Sequence, residues 1–304
     1  LKDAPVATLA SGDLEADFLP SHGMLCVSLR DRKIEILRRV DDLETAASKG
    51  STAAIPLLHP WANRLSKLGY RAAGIEVILD RASPKLHFDE NGLPLHGVPW
   101  AQLPWEVIIG CQDRLAARLD WRSGDLLRVF PFPHRIELTA TLRPTALAFE
   151  TTLIADRDAN GPMPISFGFH PYIGIPNLQR SEWRLVLPSM RRLVLDGRGI
   201  PTGAEEPFGR FDAEPEDLDF NDAFALDDER ATLSIAGSNR TISVEFLTGY
   251  RYAQVYAPKG KNFIALEPMT ASIDALNSGR GLRLIGPGET FHAGFCIRID
   301  ESES

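Results

Sequence analysis

Cysteine is nearly absent, cations are outnumbered, and no stretch is both long and apolar. The three cysteines, Cys26, Cys111 and Cys296, lie far apart with no CxxC spacing, which argues against a disulfide framework and a cysteine zinc site. They read as small buried hydrophobes in a reducing compartment. Lys and Arg total 33 against 41 Asp and Glu, a formal charge of −8, so neither nucleic acid nor an anionic membrane is an expected partner, because both demand a basic surface. No apolar run approaches the roughly 20 residues that span a bilayer. The opening "LKDAPVATLASGD" lacks the basic-then-apolar order of a secretory signal. These absences predict a cytoplasmic protein acting on a small neutral or weakly charged ligand. GxSxG, GxxxxGK[ST] and HExxH are missing too, and with them any support for a serine hydrolase, a P-loop enzyme or a zincin.

Helical periodicity is equally scarce: "DDLETAASK" (41–49) could make two turns, and little else competes. What recurs is alternation. Ile136, Leu138, Ala140 and Leu142 fall on one face of "RIELTATL", Ile242, Val244 and Phe246 on one face of "TISVEFL", and Phe291, Ala293, Phe295, Ile297 and Ile299 on one face of "FHAGFCIRI". Shorter runs at "EVILD", "WRLVLP" and "RLVLD" read the same way, as half-buried strands. Turn chemistry at "DENGLP", "DANGPMP" and "LDGRGIPTG" separates them. Many antiparallel strands without regular βαβ alternation predict an all-β chain folded as a large antiparallel β-sandwich. With no internal repeat, low-complexity tract or linker-like shift in composition, residues 1–304 read as a single domain. The acidic stretch "PTGAEEPFGRFDAEPEDLDFNDAF" (201–224) reads as a solvated loop.

Polar groups beside Pro, Gly or Trp mark four stretches: "HPWANRL" (59–65), "LPLHGVPW" (93–100), "FGFHPY" (167–172) and "ALEPMTA" (265–271). Glu267 directly follows Ile264, Ala265 and Leu266. A carboxylate leaving a buried strand is costly unless it is paired or used, although it could also open an exposed turn ahead of Pro268. His170, between aromatic residues, is either a catalyst or a hydrogen-bonded structural residue. His96 is similar, with Gly97 permitting a turn or close backbone approach. Arg64 is by default a surface cation and Asp222 a turn former.

Taken together and in order, "HPWANRL", "LPLHG", "GFHPY", "NDAF", "YAQVYAP" and "LEPMTA" resemble the aldose 1-epimerase (galactose mutarotase) family over nearly the whole chain. The resemblance is to the bacterial branch whose histidine reads "HPY". It implies the galactose mutarotase-like supersandwich with a sugar cleft on its concave face, a small-molecule sugar substrate, no metal and no cofactor. It matches Glu267 to the family's catalytic base, His170 to its catalytic acid and His96 to its sugar-binding histidine. Arg64, Asp222, Gln254 and Asn63 match contacts to substrate hydroxyls. Two departures bear on the sugar: "HGVPW" lacks the double glycine that usually follows the "LHG" histidine, and "HPYIGIP" stands where galactose mutarotases usually read "HxYFNL".

The implied chemistry needs two proton handlers, one taking the C1 hydroxyl proton and one delivering a proton to the ring oxygen. A Glu is ionised by default at neutral pH, whereas a His needs a nearby carboxylate to favour its protonated form; Glu267 and Asp222 are expected to supply that field. Trp61 and Trp100 adjoin the motifs, where core packing competes with stacking on a sugar. Two rival readings remain. A hexose-6-phosphate 1-epimerase would need a cationic pocket, for which Arg191, Arg192, Arg71 and Lys67 are available. A non-catalytic carbohydrate-binding sandwich would need neither Glu267 nor His170.

Overall fold

Alternation becomes two large antiparallel sheets facing one another. The computed structural model describes residues 4–38, 42–103, 105–215 and 218–301, and strands account for 51% of the chain against 8% for helices, so the class is all-β. One sheet has nine strands, in spatial order Phe211–Ala213, Arg184–Leu187, Ala231–Gly237, Arg240–Thr248, Thr290–Glu301, Ala146–Ala155, His134–Arg143, Arg114–Trp121 and Glu106–Gly110. The other runs Pro201–Phe208, Met190–Leu195, Phe220–Ala225, Tyr252–Ala257, Ile264–Met269, Gly168–Phe169 and Leu57–Leu58, with Tyr172–Ile173 also paired to Ile264–Met269. A smaller four-stranded sheet, built from residues 7–35, packs alongside through Phe18, whose ring centroid lies 6.1 Å from that of Phe149.

Burial follows the alternation. Ile136, Leu138, Ala140, Leu142, Ile242, Val244 and Phe246 are each at most 1% exposed. Phe149 stacks on its cross-strand partner Phe295 with centroids 4.9 Å apart, and Phe169 of the opposite sheet meets both at 5.6 and 5.0 Å. Such contacts add about 0.5–1.5 kcal/mol each beyond the area they bury.

Local expectations meet different outcomes. The "EVILD" strand sits in an isolated hairpin, Gly69–Ala72 with Ile75–Ile78, that joins neither large sheet. The alternation within it holds all the same: Val77 and Leu79 are buried in the core, whereas Glu76, Ile78 and Asp80 are exposed, Ile78 at 83%. The acidic stretch is not a plain loop: Pro201–Phe208 is an exposed edge strand paired to Met190–Leu195. Glu216 and Asp217 of that stretch, and Asp41 of the expected helix, lie outside the described residues. The helix itself forms over Leu43–Lys49, because Asp42 accepts a hydrogen bond from Thr45 N at 3.0 Å and Gly50 closes the other end with φ 67°. Two short helices that alternation could not reveal, Gly124–Val129 and Ala275–Ser278, complete the chain's α-helices among the described residues. Among those residues, no helix is long and apolar enough to cross a membrane.

Two histidines are sealed between the sheets. His59 and His134, each 1% exposed, place their Nε2 atoms 3.0 Å apart, and His134 Nδ1 lies 2.6 Å from the Phe132 carbonyl. One set of tautomers satisfies both contacts: His134 Nδ1–H donates to Phe132 O, and His59 Nε2–H donates to His134 Nε2. The Trp121 indole stacks against His134 and meets His59 edge-on. This packing has room for neutral rings only. Burial takes His59 well below its ordinary value and His134 down to about 4. In the unfolded chain both titrate near 6.5, so as pH falls from about 6.5 toward 4 the unfolded state gains protons the fold refuses, and stability drops. His134→Gln, whose amide can still accept from His59, should flatten that loss by about 1.4 kcal/mol per pH unit. Urea midpoints between pH 7 and 5 test this; identical slopes in wild type and variant would show that the pair does not titrate as described.

Candidate active site

Strand register assembles most of the site. Glu267 lies directly opposite Gln254, Gln254 opposite Ala223, and Tyr256 opposite Asn221. Directly paired residues, and residues two apart, project to the same face of a sheet. Glu267, Gln254, Tyr256 and Asn221 therefore share the face turned away from the core, while Leu266, Val255 and Phe224 are sealed between the sheets. His170 reaches that outer face from the "FGFHPY" segment, which can approach only because residue 168 is glycine. A Cβ there would stand 2.7 Å from the Pro268 carbonyl oxygen.

The loop carrying His96 closes over this face. His96 and Asn63 both have left-handed backbones, φ 61° and 60°, a conformation that costs of order 1 kcal/mol for a residue with a side chain. Gly97 follows at φ 68°, where a Cβ would fall 2.3 Å from His59 O, so only glycine fits. The strain is repaid by contacts. Asn63 N donates to His96 Nδ1 at 3.1 Å, leaving the neutral ring's Nε2–H as its donor. The Asn63 side chain accepts from Arg64 N at 2.9 Å, and Gln254 Nε2 donates to Asn221 Oδ1 at 2.8 Å. Arg64 Nε donates to Asp89 Oδ2 at 2.6 Å, and Asp89 also accepts from the backbone of Asn91 and Leu93. Asp89 thus ties the Arg64 guanidinium to the loop that bears His96.

At the centre, His170 Nε2 lies 3.1 Å from Glu267 Oε1, with both side chains almost wholly removed from water. The imidazole stacks on Tyr172 at 4.2 Å between centroids and meets His96 edge-on at 5.7 Å. Glu267 Oε2 is buried without a hydrogen-bond partner among the described residues, a cost that active sites tolerate when a ligand proton is to be received there. Burial pushes the Glu267 carboxyl well above the usual carboxylate range, opposed by the nearby Arg64 charge. It takes His170 down to about 3. Both directions favour the uncharged form of each group, since burial opposes charge on the carboxyl and on the imidazole alike. The direction runs against an ionised base beside a protonated acid, because desolvation disfavours charge on both groups. Burial, with the neighbouring His170 and Arg64, also holds His96 well below its ordinary value, hence neutral.

The structure brings Glu267, His170, His96, Arg64, Gln254 and Asn63 into one cleft of about 250 Å³, with Tyr172, Tyr256, Glu90 and Asn221. It does not bring Asp222. That residue pairs with Val255, on the face opposite Gln254, and its carboxylate lies 3.2 Å from Arg192 Nε. A displacement of one position along a strand reverses the face, so Asn221 occupies the place expected for Asp222. The alternation of Phe220, Asp222 and Phe224 in "FNDAF" was the signal that could have found it. Trp61 and Trp100 are core residues, 1% and 3% exposed. None of Arg191, Arg192, Arg71 and Lys67 lines the cleft: Arg191 pairs with Glu205 and Asp227, Arg192 with Asp222, and Arg71 and Lys67 are exposed. Among the described residues, no three His, Cys, Asp or Glu side chains are grouped to hold a metal ion.

A family model described as aldose 1-epimerase matches residues 5–298. Among solved structures, the chain is similar to a Synechocystis sp. PCC 6803 protein, with 24% identity, 98% of this chain and 96% of that one covered, and a TM-score of 0.78. A galactose mutarotase-like protein from Clostridium acetobutylicum gives 19% identity, 97% and 95% coverage and a TM-score of 0.82. An aldose epimerase homologue from C. elegans gives 18% identity, 98% and 99% coverage and a TM-score of 0.79. At these identities the structural likeness is one of fold. No curated protein matches the chain.

The face assignment yields a direct test. Asn221→Ala should weaken sugar binding by about 0.5–1.5 kcal/mol, the worth of one neutral hydrogen bond, while Asp222→Asn should leave affinity within about twofold, as the loss of a half-exposed ion pair allows. Calorimetric titration of both variants decides; the reverse ranking would return Asp222 to the cleft.

Proposed function

Because the chain belongs to the aldose 1-epimerase family, we propose that it interconverts the α and β anomers of an aldose by acid–base ring opening at Glu267 and His170. The observation that carries this reading is the buried carboxyl–imidazole pair, 3.1 Å apart, close enough to pass a proton between Oε1 and Nε2. Ring opening needs that proton on His170. A sugar filling the cleft brings polar groups against the pair, and the proton then crosses from Oε1 to Nε2 without leaving the site. Glu267 takes the proton of the C1 hydroxyl while His170 gives its own to the ring oxygen; the C1–O5 bond breaks and the C1 carbonyl forms. Rotation about C1–C2 presents the other face, and closure runs the transfers backward. The proton count of the pair is the same before and after, so the cycle needs no redox partner and no cofactor.

The remaining side chains suit a polyhydroxylated ring. His96 Nε2–H, Arg64 and the amides of Asn63, Gln254 and Asn221 offer donors and acceptors around it, and Tyr172 and Tyr256 supply aromatic walls. A non-catalytic sugar binder would gain nothing from a carboxyl group kept out of water, which is what disfavours that alternative. The free thiols of Cys26, Cys111 and Cys296 suit a reducing compartment. We accordingly place the protein in the cytoplasm as one epimerase domain.

Polarimetry on freshly dissolved α-aldoses tests the activity. Glu267→Gln should slow turnover by about 10²–10⁴-fold, the usual worth of a general base, with sugar affinity changed by no more than about 1.5 kcal/mol. His170→Asn should lose a similar factor, and the double variant should be little worse than the poorer single one, since both act on one event. Wild-type turnover in Glu267→Gln would refute the assignment.

A further inference from the structure

Beside the cleft lies a larger hollow of about 640 Å³ that ring opening leaves without a role. Thr52, Leu95, His96 and Tyr172 line both spaces, so the two are continuous. The rest of the hollow's wall includes Arg38, Lys49, Ser51 and His87, an unexpected gathering of cations and donors in a chain of net charge −8. Its one acidic residue among those described, Asp42, is committed to the helix cap, where its two carboxylate oxygens accept from Thr45 N and Thr45 Oγ1. The carbonyls at the end of the same helix are occupied as well, by the N–H groups of Gly50 and Ser51.

Arg38 is held in position although its side chain is exposed. Its N–H donates to the Tyr172 carbonyl at 3.0 Å, and its guanidinium lies 4.2 Å from the Phe263 ring centroid and 5.5 Å from that of Tyr172. Tyr172 stacks on His170, so one aromatic ring separates a fixed guanidinium from the imidazole. In the epimerase reading, on which this inference rests, the sugar's ring oxygen faces His170. The exocyclic carbon is bonded to the ring carbon on the other side of that oxygen from C1, so with C1 at Glu267 it lies away from the carboxyl, and the hollow that shares Thr52, Leu95, His96 and Tyr172 with the cleft is open to a substituent on it. We propose that the hollow receives a phosphate ester carried on the exocyclic carbon of the substrate, with Arg38 and Lys49 as its cationic contacts, and that the preferred substrates are aldose phosphates rather than free aldoses. The basic residues singled out in the sequence for such a role lie elsewhere; these two are beside the cleft. The arrangement also couples the two spaces, because a dianion on Arg38 offsets the positive field that opposes protonation of His170.

Mutarotation rates for a free hexose, the matching hexuronate and the hexose phosphorylated on its exocyclic carbon test the assignment. The expected result is a kcat/KM at least about tenfold higher for the phosphate than for the free sugar, as charge-assisted contacts allow. Arg38→Gln and Lys49→Gln should each lower that ratio several-fold, and about 0.5 M salt should compress it. Calorimetry with an anhydrohexitol that has no anomeric hydroxyl and so cannot open, with and without its phosphate, reads the hollow independently of catalysis. The phosphorylated form should bind more tightly, and the difference should shrink in both variants. Equal rates and equal affinities would overturn the inference and leave the epimerase reading standing, and a hexuronate preferred over the phosphate would overturn the phosphate assignment. Tighter, Arg38-dependent binding of the phosphorylated analogue without turnover of any aldose would support the hollow's role and overturn the epimerase reading instead.

Discussion

A carboxyl group and an imidazole 3.1 Å apart, both taken out of water, set the terms for everything around them. Removing two ionisable groups from solvent costs several kcal/mol per charge if they ionise, and the cost is smallest when the pair shares one proton and carries no net charge. The surroundings are arranged accordingly. Leu266, Val255 and Phe224 close the inner face of the sheet beneath the pair, and Tyr172 covers the plane of the imidazole. Neither group can relax toward water, so the proton's position becomes the adjustable quantity in the site.

Holding such a pair requires rigid backbone on both sides, and the two large sheets supply it unequally. Glu267 and Gln254 sit on central strands whose cross-strand register fixes their face. His170, His96, Asn63 and Arg64 sit on short bridges and loops, where left-handed residues and glycine contacts replace register as the positioning device. The loop side is where local cost accumulates, and it is offset by hydrogen bonds that run between the loops: Asn63 to His96, Arg64 to Asp89, and Asp89 back to its own turn. Residues that contact ligands are often found on such segments, anchored to a scaffold that does not itself need to move.

This division explains what the sequence could disclose. Period-two alternation announced the strands whose alternate residues are buried, including Ile136 to Leu142 and Ile242 to Phe246, because burial on one face leaves a mark on every second residue. At "EVILD" it held as well, with Val77 and Leu79 buried, but alternation could not report that this strand pairs within its own hairpin and joins neither large sheet. At the site, the motifs identified Glu267, His170, His96, Arg64, Gln254 and Asn63, all of which the fold gathers. Asp222 was taken for its neighbour Asn221 because a motif fixes a segment to within a residue, whereas a strand assigns the face by parity. Tyr172, Tyr256 and Asp89 carried no signal strong enough to separate them from ordinary strand and turn residues. Arg38 and Lys49 carried even less, because a cation's relevance depends on which loop folds beside it.

The same geometry determines how the proton can be moved. Two guanidinium groups flank the pair with opposite consequences. Arg64 acts on Glu267 and offsets part of the burial that keeps the carboxyl protonated, whereas Arg38 acts on His170 and adds to the burial that keeps the imidazole neutral. With both fields in place, burial and the Arg38 charge together favour the uncharged imidazole. Transfer to His170 is eased by strengthening the first field or cancelling the second. Arg64 is already pinned by Asp89 and has little freedom to respond, so the adjustable term is Arg38, which faces the open hollow. A substrate that brings negative charge to that hollow changes the proton's preferred position from the far side of Tyr172, and it does so only once its ring is seated. In that arrangement recognition of the substituent and readiness of the acid are one electrostatic event, and the energy of binding a group remote from C1 is spent at the ring oxygen.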